Sequence, residues 1–106
     1  MTAVGELNRR LVLEAPVETA DGMGGVTRNY AEVVTLWASL TPIADRADAV
    51  AAGQGALVTH RIVIRAGRDV TTRHRLRAGT RIFRIVAVRE QDNGRFLAIH
   101  AEERTE

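Results

Sequence analysis

The sequence predicts a mostly β fold: a small antiparallel barrel or sandwich, with one short helix or loop inserted between the second and third strands. Three observations carry this. Apolar and polar residues alternate with period two through several short segments. Turn signals built from glycine, proline, asparagine and aspartate separate those segments. One alanine-rich stretch alone departs to helical spacing. At 106 residues, 45% of them hydrophobic, the chain reads as one domain, 1–106, large enough to bury a core.

Residues 8–14 read as the first strand, with Arg9, Leu11 and Leu13 on one face. Ala15-Pro16 is expected to end it, because proline gives a ladder no donor. The glycines of Asp21-Gly22-Met23-Gly24-Gly25 suit a turn. Residues 26–40 are β-prone but exceed an ordinary strand, so a bulge is expected near Ala31-Glu32, and Thr41-Pro42 ends the run. From Ile43 to Ala52 the spacing turns helical, with Thr41 suited to the N-cap, Pro42 to the first helical position, and Gly53 and Gly55 to the stop. So short a helix needs packing to persist, and a loop that orders on assembly is an equal reading.

Residues 56–65 return to strand, with Val58, His60, Ile62 and Ile64 on one face. Residues 70–78 form a weaker, polar segment, and 81–89 the clearest strand. Asn93-Gly94 is a strong hairpin signal before the return strand at 95–102. Residues 82–88 are apolar on both faces: Ile82, Val86 and Val88 on one, Phe83, Ile85 and Ala87 on the other. A small barrel conceals one face in its own core. Cover for the second comes from the helix, another sheet or a neighbouring subunit, and Phe83, Ile85 and Ala87 form the candidate subunit interface.

Function is narrowed by exclusion. The chain has no cysteine, which removes disulfides, thiolate zinc sites and a cysteine nucleophile. No run approaches the roughly 20 apolar residues of a membrane helix, and residues 1–10 lack the apolar core of a signal peptide, so a soluble chain made in the cytosol is expected. The 21–25 loop has neither the lysine and following helix of a phosphate cradle nor the oxygen series of a calcium loop. His60, His74 and His100 lack metal-ligand spacing. Ser39, the only serine, has no triad partner, and Glu102 and Glu103, adjacent on a strand, point to opposite faces. No catalytic, metal or cofactor constellation is predicted.

All 15 basic residues are arginine, and 13 acidic residues hold the net charge to +2, which is not the balance of a DNA-coating protein. The densest basic run is Arg73, Arg75, Arg77, Arg81 and Arg84, and on a strand the first three share a face. Two readings stay open for Arg73, Arg75 and Arg77: a solvated face, or contact with duplex phosphates or a partner ring. The four aromatics are Tyr30, Trp37, Phe83 and Phe96; Trp37 and Phe83 read as core, which leaves no base-stacking platform.

In order, Leu7-Asn8-Arg9-Arg10-Leu11, Asp21-Gly22-Met23-Gly24-Gly25, Leu36-Trp37-Ala38-Ser39-Leu40-Thr41-Pro42, Thr59-His60-Arg61-Ile62-Val63-Ile64-Arg65 and Gly79-Thr80-Arg81-Ile82-Phe83-Arg84-Ile85 resemble the phage head–tail joining family. These are the head-completion or stopper proteins of long-tailed phages and gene transfer agents. The resemblance spans roughly residues 7–103; each piece alone is ordinary β chemistry, and their order and spacing carry it. Where the family often has Tyr in the last motif, this chain has Phe83.

The resemblance implies a non-enzymatic ring subunit below the portal and its adaptor, which retains packaged double-stranded DNA and docks the tail terminator or tail tube. It implies assembly in the bacterial cytoplasm, then residence in the particle neck, with no membrane partner. The insertion, with Asp45, Arg46, Asp48, Gly53, Gln54 and Gly55, is expected to face the channel and help close it. A small nucleic-acid-binding β-barrel without enzymatic activity is the alternative.

Overall fold

The computed structural model describes residues 7–43 and 58–105. Among these the chain is all β. The strands are β1 (Arg9–Ala20), β2 (Val26–Pro42), β3 (His60–Arg65), β4 (Arg75–Ala78), β5 (Arg81–Gln91) and β6 (Phe96–Thr105). They close a barrel in the order β1-β2-β3-β6-β5-β4, every neighbouring pair antiparallel. The helix or loop expected at 43–55 lies outside the described residues, apart from Ile43. The backbone on either side is joined there, because Ile43 N–H donates to the Thr59 carbonyl at 2.9 Å.

The core follows the period-two pattern. Leu11, Leu13, Ile62, Ile64, Leu76, Phe83, Ile85 and Ile99 are all under 2% exposed and fill the interior. Val70 packs into the same cluster from the loop before β4. That segment is strand only from Arg75, later than its sequence suggests. A second, smaller cluster forms on the outer side of β3 and β6, where Leu7 packs with Val63 and Phe96.

β1 continues through Pro16 to Ala20, contrary to the expected stop. Past Glu14, β1 pairs with β2 alone, so its other edge needs no donor and proline is tolerated. The pairs from Ala15↔Ala31 to Ala20↔Val26 therefore form a two-stranded ribbon beyond the barrel, roughly 20 Å long at about 3.4 Å per residue. At its tip, Asp21 Oδ1 accepts the Met23 and Gly25 N–H groups at 2.7 and 3.1 Å, while Gly22 and Gly24 take positive φ. At the β5–β6 turn, Asn93 and Gly94 have φ of 57° and 81°, and Arg95 N–H closes on the Asp92 carbonyl at 3.2 Å. This is the hairpin that Asn-Gly favours.

Two bulges decide which side chains face out. Leu13↔Val34 is followed by Glu14↔Glu32, so Val33 is the extra residue, close to where the length of the run required one. Ile85↔Ala101 is followed by Ala87↔His100, so Val86 is extra in β5. Each extra residue exchanges the faces beyond it.

Candidate functional site

The first bulge turns Tyr30 and Glu32 outward beside Glu14, instead of into the core. Across the β1–β4 seam, Val12↔Arg77 and Glu14↔Arg75 are in register, with Leu13↔Leu76 between them facing in. Arg75 Nε donates to Glu14 Oε1 at 2.7 Å and Arg77 Nε to Oε2 at 3.0 Å. Arg77 also donates to Glu32 at 2.7 Å, and the Arg75 guanidinium lies 3.9 Å from the centre of the Tyr30 ring. Glu14 is 5% exposed. Burial alone would raise its carboxyl, but the hydrogen bonds and charges of Arg75 and Arg77 outweigh burial and hold it below the ordinary value.

Of the three arginines expected to share a contact face, Arg75 and Arg77 do share one and are bound to Glu14. Arg73 sits in the turn before β4 and is exposed. Their expected role as a solvated or DNA-facing set is thereby narrowed, since two of the three charges are matched within the chain. Nothing in the spacing of the sequence places Glu14 opposite Arg75, sixty-one residues away.

The expected interface of Phe83, Ile85 and Ala87 is corrected by burial at the first two and by the second bulge at the third. Phe83 and Ile85 are 0% and 1% exposed in the barrel interior, so no neighbouring subunit reaches them. Beyond Val86 the faces exchange: Val88 packs on the core and Ala87, paired with His100, turns outward. Among the described residues, the exposed large hydrophobics are Val17, Met23, Val26, Val33 and Trp37, all on β1, β2 or their connecting loop. Trp37, read as core, is 56% exposed and lies under the Arg10 guanidinium at 5.4 Å. Beside it is a recess of about 520 Å³ lined by Leu7, Asn8, Trp37 and Arg65.

A polar cluster closes the barrel end where β3 begins. Arg81 donates to both oxygens of Glu103 at 2.7 and 3.2 Å, and the Glu103 N–H donates to Thr59 Oγ1 at 2.7 Å. His60 meets Phe83 edge-to-face at 5.2 Å and Glu103 at 3.8 Å. The Arg81 hydrogen bond holds the Glu103 carboxyl below its ordinary value. Burial pushes His60 down, and the opposing pull of Glu103 does not offset it. His100 is lowered by burial and by Arg61 and Arg89. Its Nδ1 is buried without a hydrogen-bond partner. Among the described residues no group of His, Asp and Glu is arranged to hold a metal. Among the described residues no helix is long and apolar enough to cross a membrane.

The described residues define a small closed-barrel protein with a two-stranded ribbon extending from it, and its exposed large hydrophobics lie on β1, β2 and the loop between them. Within that class, the chain belongs to the phage head completion protein family, which it matches over residues 2–104. It is similar to a chain of the virion of a native gene transfer agent particle, at 36% identity and a TM-score of 0.70, covering 93% of this chain and 96% of that one. It is also similar to protein SF1141 from Shigella flexneri 2a, at 25% identity and a TM-score of 0.76, covering 96% of both chains. No curated protein matches it. The chain is thus a head–tail structural protein of the phage type.

Proposed function

We propose that copies of this chain assemble as a closed ring below the portal and its adaptor, retain packaged DNA, and offer a docking surface to the tail terminator or tail tube. The observation that carries the ring is the concentration of exposed large apolar side chains on β1, β2 and the loop that joins them. An isolated two-stranded ribbon is marginally stable in water and gains from cover. Ring closure requires one surface to meet a different surface on the next copy. A projecting ribbon tipped by Met23, which is 91% exposed, and the recess beside Trp37 are two such surfaces. Val17, Met23, Val26 and Trp37 therefore replace Phe83 and Ile85 as the contact set. Assembly in the bacterial cytoplasm followed by residence in the particle neck belongs to the same proposal.

The test is Met23→Glu with Val26→Glu, both on the ribbon and outside the core. The purified variant is expected to keep its thermal midpoint while particles carrying it leak DNA and lack tails. Trp37, the only tryptophan, reports the contact directly: its emission should shift to the blue as the native chain assembles and stay unshifted in the variant. Normal particles from the variant would overturn the ribbon contact. The channel-closing role of Asp45, Arg46, Asp48, Gly53, Gln54 and Gly55 rests on the family resemblance and has its own test. Deleting residues 47–53 should give filled heads that lose DNA, and normal retention would reject it.

A further inference from the structure

The outer surface holds a second feature that ring formation does not use. Between the base of the ribbon and the ends of β4, β5 and β6 lies a cleft of about 610 Å³. Arg28, Arg73, Arg75, Arg84 and Arg104 line it, with Tyr30, and no carboxylate does. The carboxylates that pair with these arginines lie outside the lining: Glu18 with Arg28 at 2.8 Å, Glu14 with Arg75, and Glu102 shared by Arg104 at 3.2 Å and Arg84 at 3.8 Å. Arg73 has no carboxylate partner among the described residues.

The strand register sharpens the point. Arg75 and Arg84 stand directly opposite each other on β4 and β5. On the next outward row, Ile82 has Arg77 on one side and Arg104 on the other. Like charges opposed across an antiparallel pair disfavour the fold. An anionic occupant would offset that cost.

We propose that this cleft binds an extended acidic segment of a partner protein, with carboxylates taken by the free faces of the Arg73, Arg84 and Arg104 guanidiniums. Two observations favour a peptide over nucleic acid. The cleft has the volume of a small-ligand pocket, which admits one extended chain and not a duplex. Single-strand binders present aromatic faces to bases, whereas the one aromatic here, Tyr30, already carries Arg75 on its ring. The His74 Nδ1 accepts the Thr71 N–H at 3.1 Å, which leaves its Nε2–H as a further donor to an anionic occupant of either kind. The inference does not depend on ring formation.

The experiment uses the purified full chain and a labelled peptide alternating glutamate and serine, followed by fluorescence anisotropy. Its glutamine counterpart and a short duplex serve as competitors. Saturable binding of one peptide per chain is expected, not displaced by the glutamine peptide. Arg73→Ser with Arg84→Ser should weaken it at least about tenfold, the scale of one charge-assisted hydrogen bond. Neither residue touches Glu14, so the thermal midpoint should hold. Arg9→Ser with Arg89→Ser, which removes the same charge elsewhere, should leave affinity within about twofold. Absence of saturable binding, or equal loss in both double variants, would overturn the site. A duplex that outcompetes the peptide through Arg73 and Arg84 would overturn the peptide and assign the cleft to DNA.

Discussion

Glu14 is the residue on which the barrel seam rests, and Glu14→Gln isolates its charge at nearly constant shape. The carboxylate accepts one charge-assisted hydrogen bond from each of Arg75 and Arg77 while 5% exposed. Each such bond is worth about 1.5–3 kcal/mol. The glutamine oxygen still accepts one of them as a neutral acceptor. The arginine side chains are 23% and 29% exposed, so the displaced guanidinium recovers part of its hydration, and Arg77 keeps Glu32. The expected loss is therefore at the lower end, about 2 kcal/mol. For a domain of this size that corresponds to a fall of roughly 8–16 °C in thermal midpoint. Urea unfolding followed by circular dichroism, at fixed protein concentration, measures it. A cycle of Glu14→Gln with Arg75→Gln should return a coupling of about 1–2 kcal/mol. A loss below about 0.5 kcal/mol, or a coupling indistinguishable from zero, would refute the seam as an electrostatic clamp.

Three further outcomes are expected. Phe83→Ala should cost about 4 kcal/mol of stability in the isolated chain, because it empties the middle of the core and removes the edge contact with His60; a variant stable alone but defective only in assembly would restore the interface reading of that residue. Stability should fall toward acid in two stages. His60 and His100 are depressed below 6.5 in the fold, so the unfolded chain binds their protons first, and stability is complete above that value and declines beneath it. Glu14 and Glu103, depressed below 4.5, add a second decline as the pH falls through their folded values. Urea midpoints measured from about pH 8 to pH 3 should show both stages, with the lower one diminished in Glu14→Gln; a flat profile would contradict the burial of these groups. Finally, His100→Leu should stabilise the chain by about 1 kcal/mol, since it removes a buried Nδ1 that has no partner, and a loss of midpoint would show that the nitrogen is satisfied.

The sequence by itself determined an antiparallel β fold of short strands, with barrel and sandwich both open. Alternation along residues 58–65 names the same inward residues that the structure buries, and Asn93-Gly94 sits at the centre of its turn with the backbone that hairpin needs. Both are local: side-chain period and turn chemistry are properties of neighbouring residues. The order of short motifs along the chain likewise carries the family resemblance, which rests on sequence alone. What only the tertiary structure decided is which face each residue takes beyond a bulge, and which distant residues meet. One extra residue at Val33 turns Tyr30 and Glu32 outward, and another at Val86 sends Val88 inward and Ala87 out. The Glu14–Arg75–Arg77 seam and the arginine cleft exist only because closing the barrel sets β1 beside β4, and β4 beside β5. Closure is a long-range event, so the charges it brings together leave no periodic trace in the chain.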